Sequence, residues 1–445
     1  MKALILAAGN GTRMQPVTKG QHKSLMPLLG LKIIERVILG AKNAGIFEFV
    51  IVTGYKGKEL RSFLGKGKKY GVSISFVQNP DWEKANGISA LLAKDYFKDN
   101  FALLMSDHVF DPLTLIKLQK IKLGKNECVL AIDKNLDRVL DVDDTTKVLT
   151  KNDKIIGLNK NLTDYNGYDT GMFICSTYLF DVLKKSTSLK KNSLSDGMRL
   201  IAKEGKLKYM NNKGKFWSDC DTWEDVKFAK TKLINNLTKE EDGKISRYFN
   251  RKISTYISKY LVATSISPNI ISFVILFLSV PAFFILATGI YPWLILGGLL
   301  IQFMSILDGV DGEIARLKFQ DNSFGGFLDA NLDKYIDTTV ITGMTLGYLK
   351  VTQDPIIIPV ALFLIFGLGL DGYMPSKFKL DTGKKLKFSI FKFVNIKRDV
   401  RLAVLALGAI FNLILLSFVI LLVFYHAKVI IRLFLARKIT QGIRV

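Results

Sequence analysis

Four aspartates set inside the most apolar part of this chain restrict its fold more than any other feature. They lie in the string Asp308, Gly309, Val310, Asp311, Gly312, Glu313, Ile314, Ala315, Arg316, which continues after eight residues with Gly325 and then Asp329 and Asp333. On helices, Asp308 and Asp311 share a face at a spacing of three, and Asp329 and Asp333 do so at a spacing of four. Two adjoining helices can therefore aim four carboxylates at one point. Acidic groups at the ends of membrane helices are costly unless paired or bound to metal. A solvated acidic loop has no need of this spacing.

The surroundings are those of a membrane domain. Stretches such as Ile270 to Ile285 and Ile356 to Leu370 carry almost no charge. Candidate helices run over 269–288, 292–315, 326–350 and 355–374, and the apolar length 400–435 exceeds one span and divides at Gly408 and Asn412. The expected second half is thus an all-α, six-helix transmembrane domain. Lys and Arg crowd the segment from Lys377 to Arg401 and the C-terminal tail, while the joints around Ile290 and Thr352 are nearly free of them. With the first half in the cytosol, six crossings place those basic regions inside, as the positive-inside bias requires. That topology accounts for the net charge of +24. A nucleic-acid partner is not expected, because no basic stripe interleaved with stacking aromatics is present.

The first half, up to about Asn235, has short apolar runs punctuated by Gly, Asn, Asp and Lys. Cys128, Cys175 and Cys220 are widely spaced, without metal-ligand spacing or a disulfide framework, which suits an intracellular domain. Strand-like and helix-like pieces alternate, as expected of a Rossmann-like α/β domain with a mainly parallel sheet whose ligands sit beyond the carboxyl ends of the strands. Between the halves, the charged break Glu240, Glu241, Asp242, Gly243 precedes Ile245, Phe249, Ile253, Ile257 and Leu261, spaced by four among Lys244, Arg247, Arg251, Lys252 and Lys259. This reads as an amphipathic helix at a membrane surface, or alternatively as a soluble linker helix. The expected division is 1–236, 237–264 and 265–445.

After the first strand comes Ala7, Ala8, Gly9, Asn10, Gly11, Thr12, Arg13, Met14, with Pro16, Thr18, Lys23 and Pro27 following. Such glycines let backbone N–H groups approach a triphosphate, and Arg13 brings charge to its oxygens. This pattern resembles the sugar-phosphate nucleotidyltransferase family over about Met1 to Leu233. The resemblance implies nucleotide binding by Ala7, Ala8, Gly9, Gly11, Thr12, Arg13 and Lys23, with Arg13 and Lys23 catalytic and Asn86 and Gly87 at the base. It implies a divalent metal, Mg²⁺ or Mn²⁺, on Asp107 and on Asp219, with Asp221 as the alternative. His108 reads as a neighbour of that site, since hard Mg²⁺ prefers carboxylate. Lys160 matches the family's acceptor-phosphate lysine, and is equally readable as a solvated surface lysine. The implied reaction is attack of an acceptor phosphate on the α-phosphate, with release of pyrophosphate.

The aspartate string resembles the CDP-alcohol phosphatidyltransferase family at every specified position of its motif, over roughly Ile245 to Arg437. By that resemblance Asp308, Asp311 and Asp329 hold Mg²⁺ or Mn²⁺, and Asp333 completes the site or takes the acceptor's proton. Gly312, Ala315 and Gly325, with Arg316, make room for the CDP moiety. An alcohol would attack the β-phosphate and expel CMP. Arg398 and Arg401 either hold an acceptor phosphate or anchor helix five at the cytosolic side. The fusion resembles bifunctional enzymes of heat-adapted microbes that make CDP-inositol from CTP and a polyol phosphate and then spend this CDP-alcohol on inositol phosphate. It implies a multi-pass protein in the lipid bilayer, both active sites cytosolic, and a possible homodimer. The rival readings are a phospholipid synthase with another polyol or lipid acceptor, and a nucleotide-sensing transporter or scaffold. A transporter would be expected to show matching repeats and broken helices.

Overall fold

The structure, a computed structural model, describes residues 1–14, 18, 20–138, 143–238, 243, 245–384, 386 and 396–441. Pro16, the acidic break at Glu240, Glu241 and Asp242, Lys244, residues 385 and 387–395 of the basic segment and residues 442–445 of the tail lie outside these. The chain forms two compact units, Met1–Asn235 and Asn236–Val445.

In the first unit the strands are β1 (Lys2–Ala7), β2 (Glu48–Thr53), β3 (Ser73–Gln78), β4 (Phe101–Met105), β5 (His108–Phe110), β6 (Cys128–Asp133), β7 (Lys147–Lys151), β8 (Lys154–Asn159), β9 (Gly167–Cys175), β10 (Leu207–Asn211) and β11 (Trp217–Asp219). Nine of them form one sheet in the order β3-β2-β1-β4-β9-β6-β10-β8-β7, and β5 pairs with β11 in a separate ribbon. The helices are α1 (Ile33–Asn43), α2 (Gly57–Leu64), α3 (Asn86–Leu92), α4 (Pro112–Gln119), α5 (Tyr178–Ser188), α6 (Leu194–Lys203) and α7 (Trp223–Asn235). Strand β1 is buried on both faces. Leu4 and Leu6 enter one core with Phe180 of α5 and Met198 of α6, while Ala3 and Ile5 enter another with Ile34 and Val37 of α1. This double burial is why the strand reads as a continuous apolar run.

The sheet is parallel from β3 through β4. It is mixed beyond that point, because β9 runs antiparallel to both β4 and β6, and β8 runs antiparallel to β10 and β7. The expectation of a mainly parallel sheet describes its first four strands. Cys128 and Cys175 are register partners on β6 and β9, and all three cysteines are buried free thiols.

The second unit holds α8 (Arg251–Leu261), α9 (Pro268–Ala287), α10 (Tyr291–Leu317), α11 (Ser323–Thr352), α12 (Ile357–Thr382), α13 (Arg398–Ile410) and α14 (Ile414–Thr440). Among the described residues, α9, α10, α12 and α14 are long and apolar enough to cross a membrane. Helix α11 carries Asp329, Asp333, Lys334 and Asp337. Helix α13 has 13 residues, roughly 20 Å at ~1.5 Å per residue against a hydrocarbon layer of about 30 Å. By length and composition, four of the six expected crossings are found among the described residues.

Small residues bring these helices together. A Cβ at Gly347 would lie 2.1 Å from the Leu286 carbonyl oxygen, and one at Gly343 would lie 2.8 Å from that of Phe283, so α9 and α11 meet backbone to backbone. Gly298 does the same for α10 against Ala406 of α13. Close approach through glycine is the ordinary substitute for hydrophobic driving force inside lipid. It sets α9, α11, α10 and α13 around the motif aspartates.

Candidate functional site

In the first unit the register of β1 with β4 places Leu6 beside Met105. The glycine loop after β1 and the Ser106–Asp107 step after β4 therefore emerge at the same edge, where parallel strands present their carboxyl ends. They border a cleft of about 290 Å³, lined among others by Ala8, Gly9, Gly11, Thr12, Arg13 and Lys23 on one side and Asn86, Asp107 and Asp221 on the other. Gly11 has φ +57° and a Cβ there would lie 2.8 Å from Lys23 Cβ, so the turn requires glycine. Gly9 has open space where its side chain would be.

Lys23 is buried, and Nζ donates to Asp107 Oδ2 at 2.7 Å and to Asp221. Burial opposes its charge, but Asp107, Asp219 and Asp221 outweigh that and hold the ammonium well above its usual range. His22 braces this lysine: its Nε2 lies 3.2 Å from the Ala7 carbonyl oxygen, and its Nδ1 accepts from Ser24 N at 3.2 Å. Sequence reading missed His22, whose ring meets only backbone groups in these two contacts. Arg13 pairs with Asp221 and with Asp144. Asp144 also accepts from Lys160 Nζ at 2.5 Å, so one carboxylate links the loop arginine to the expected acceptor lysine. Nothing in the sequence marked Asp144, because its partners are 131 and 16 residues away.

Asp107, His108 and Asp219 each offer an atom within 4.8 Å of the others and can hold a metal. Asp221, the alternative to Asp219, is instead spent on Lys23 and Arg13. His108 belongs to the cluster rather than beside it: Nδ1 lies 3.0 Å from the Thr170 carbonyl oxygen, and Nε2 lies 3.3 Å from Asp219 Oδ2. Burial opposes charging of the ring, yet Asp219 and Asp107 outweigh it and push His108 up to about 10. Gly171, at φ +72°, makes room for the ring, since a Cβ there would lie 2.2 Å from Nδ1. Asp169 Oδ1 accepts from the Gly171 N–H at 2.7 Å and fixes that bend, while burial pushes its own carboxyl up to about 6. The two carboxylates are the oxygen donors that fit Mg²⁺ or Mn²⁺; His108, charged against them here, would have to give up its Nε2 proton to join them as a ligand.

The two residues expected at the base also make contacts with the start of α6 and the turn before it. Asn86 lines the cleft but its Oδ1 accepts from Leu194 N at 2.9 Å, at the start of α6. Gly87 is needed by packing, since a Cβ would lie 2.5 Å from the Asn192 carbonyl oxygen. Ala7 is buried at the end of β1.

In the second unit Asp308, Asp329 and Asp333 bring one oxygen each within 4.8 Å of one another, an all-oxygen set suited to a hard divalent cation. Asp311 is not one of the three whose oxygens gather this closely, and its Oδ2 accepts from Ser272 of α9 at 2.6 Å. Arg398, at the start of α13, pairs with Asp308 and lies 2.8 Å from Asp333. Arg401, one turn on, is buried against Asp337 and donates to Tyr425 Oη at 3.0 Å. The two arginines expected to act together thus differ. Arg398 faces the carboxylates, whereas Arg401 is committed to a buried pair that sequence reading did not see. Asp371, also missed, lies 2.9 Å from Lys428 and 2.6 Å from Arg432, tying α12 to α14.

Among the motif's other positions, Gly325 N donates to Asn322 Oδ1 at 2.7 Å, which caps α11. A Cβ on Gly325 or Gly312 would meet only side-chain atoms of the protein, at 3.5 Å and 3.2 Å respectively. Arg316 reaches the Leu237 carbonyl oxygen at 3.5 Å, and Ala315 is half-buried on α10.

Comparison with known proteins agrees with this geometry. The family described as nucleotidyl transferase matches residues 2–136, and that described as CDP-alcohol phosphatidyltransferase matches residues 265–436. A bifunctional IPC transferase and DIPP synthase of Aquifex aeolicus is 33% identical over 98% of this chain and 98% of its own. One from Archaeoglobus fulgidus is 33% identical over 94% of this chain and 80% of its own. The solved inositol-1-phosphate CTP transferase of T. maritima covers 52% of this chain and 95% of its own at 25% identity, with a TM-score of 0.46. With both catalytic families on one polypeptide and full-length relatives at this identity, the chain belongs to the family of bifunctional IPC transferases and DIPP synthases.

Proposed function

We propose that the first unit makes CDP-inositol from CTP and inositol-1-phosphate, and that the second transfers its inositol phosphate group to inositol phosphate, giving phosphorylated di-myo-inositol phosphate and CMP. The carrying observation is that one chain holds two acidic, metal-fit clusters, one beside a glycine loop and one among apolar helices. In the first reaction an oxygen of the acceptor phosphate attacks the α-phosphorus of CTP, and the bond to pyrophosphate breaks. The loop N–H groups and Gly11 bring the backbone to the triphosphate, while Arg13 and Lys23 stabilise charge on its oxygens. In the second, an acceptor hydroxyl attacks the β-phosphorus of the CDP-alcohol and CMP leaves, with Asp333 either taking the hydroxyl proton or completing the metal site.

A divalent ion on either cluster would supply Lewis-acid stabilisation of the phosphate charge. Asp107, Asp219 and His108 would hold it in the first unit; Asp308, Asp329 and Asp333 would do so in the second, with Asp311 turned toward Ser272. At Gly312 and Gly325 a Cβ would meet only side-chain atoms, of Arg316 and of Asn322 and Asn269, which favours these positions as space for the CDP moiety. Arg398 is the arginine we assign to the acceptor phosphate, since Arg401 is occupied. On this reading both active sites face the cytosol, which the positive-inside bias of the basic segments supports.

The reading is tested by giving membranes that contain the protein CTP, Mg²⁺ and single polyol phosphates. Pyrophosphate and a CDP product should appear with inositol-1-phosphate, followed by CMP and a phosphodiester. Pyrophosphate release that ignores inositol would reject the inositol assignment and spare the two reaction classes.

Asp144 yields a smaller prediction. Its carboxylate holds two cations that this reading assigns to phosphates, so it competes with substrate. Asp144→Asn should lower the KM for CTP or the acceptor about twofold to fivefold, the range of an exposed ion pair, at unchanged kcat. A raised KM in a pyrophosphate-release assay would show that Asp144 organises the cations instead.

A further inference from the structure

Ile257 and Leu261 of helix α8 pack against the bundle core, while other apolar positions of this segment are turned outward. Phe249, Ile253, Tyr256 and Tyr260 are exposed, whereas Asn250, Ser254 and Ser258, also spaced by four, are buried. These three polar residues pack on α10, the helix that carries Asp308 and Asp311. The target of Ser254 and Ser258 is Glu313, which is fully buried. Ser254 Oγ donates to Glu313 Oε1 and Ser258 Oγ to Oε2, each at 2.6 Å, and Arg251 Nη1 lies 2.6 Å from Oε1. Arg251 also donates to the Gly309 carbonyl oxygen at 3.2 Å, between the two motif aspartates. Gly309 permits this approach, because a Cβ there would lie 3.0 Å from the Arg251 guanidinium. One turn earlier, Asn250 takes a bond from Gln302 and gives one to Ser305, both on α10.

The same segment holds the other side of the site. The backbone N–H of Ser246 donates to Asp399 Oδ2 at 2.8 Å, and Asp399 is the neighbour of Arg398. A membrane-surface helix that needed only an anchor has no reason to bury a carboxylate. An ionised group taken out of water costs several kcal/mol unless it is fully paired, and here three donors converge on it.

We infer that Glu313, locked by Arg251, Ser254 and Ser258, is a positioning residue for the phosphotransferase site: it fixes the rotation of α10, and thereby the direction in which Asp308 points. Through Asp399 the same segment fixes the start of α13 and Arg398. The segment joining the two units is on this account a structural part of the second site. The inference rests on the proposed second reaction.

The test is Glu313→Gln in the full chain in detergent, assayed with CDP-inositol and inositol phosphate for CMP release. Because misplacement of reacting groups by about 1 Å can cost about 100-fold, kcat should fall about 10- to 100-fold while KM for CDP-inositol stays within twofold. Pyrophosphate release by the first unit should not change. Arg251→Lys, which keeps the charge, should retain more activity than Arg251→Met. If Glu313→Gln is not recovered folded, Ser258→Ala removes a single donor and should lower kcat in the same manner. A lower melting temperature with unchanged kcat, in either variant, overturns the inference. Failure of the unaltered protein to release CMP would instead count against the proposed function.

Discussion

Asp329→Asn should lower CMP release from a CDP-alcohol roughly 1,000-fold or more, while pyrophosphate release from CTP proceeds at the parental rate. Asp329 is one of the three carboxylates whose oxygens gather within 4.8 Å. On the proposed reading, removing its charge takes away a metal ligand and with it several kcal/mol of phosphate-charge stabilisation, and each 1.36 kcal/mol is about tenfold in rate. The measurement is a paired assay, radiolabelled CMP against pyrophosphate, on one preparation. If both activities fell together, the two units would not be separable catalysts. If CMP release survived, the carboxylate cluster would not be the second site.

The second large effect falls on the first unit. Lys23→Met should reduce pyrophosphate release roughly 100- to 1,000-fold, the range seen when one preorganised group facing developing charge is removed. The same change should destabilise the unit by about 3 kcal/mol. It strips the shared cation from Asp107 and Asp221, which keep only a quarter or less of their side-chain surface in water, and breaking such a pair leaves uncompensated charge. Arg13→Ala is the useful contrast, since Arg13 is nearly half exposed: activity falls but the melting temperature holds. A Lys23→Met protein with normal turnover would remove that lysine from the chemistry.

What the sequence made legible was whatever is encoded by local spacing. The glycine loop reads from residues 7–13 because the turn and its positive φ at Gly11 are local necessities. The aspartates of α10 and α11 read because helical spacing puts them on common faces. Partners chosen by the tertiary fold were not legible. Glu313 sat inside the motif string, yet its role depends on Arg251, Ser254 and Ser258, which are 55 to 62 residues away. Asp337 continues the spacing of Asp329 and Asp333 by one more turn, but faces Arg401 rather than the cluster. The antiparallel β9 could not be inferred either, since a strand's direction leaves no mark on its own apolar pattern. The stripe at Ile245 to Leu261 shows that a helix is two-faced, but not that the row of Asn250, Ser254 and Ser258 meets α10, which its partners in the tertiary fold decide.

Each acidic cluster is born with a counter-ion from its own chain, Lys23 among Asp107 and Asp221, Arg398 between Asp308 and Asp333. The nascent polypeptide therefore has no need to await magnesium before it threads its acidic helices past the lipid and settles. Chelation should idle the enzyme without unravelling it, and returning the ion should restart it with no chaperone.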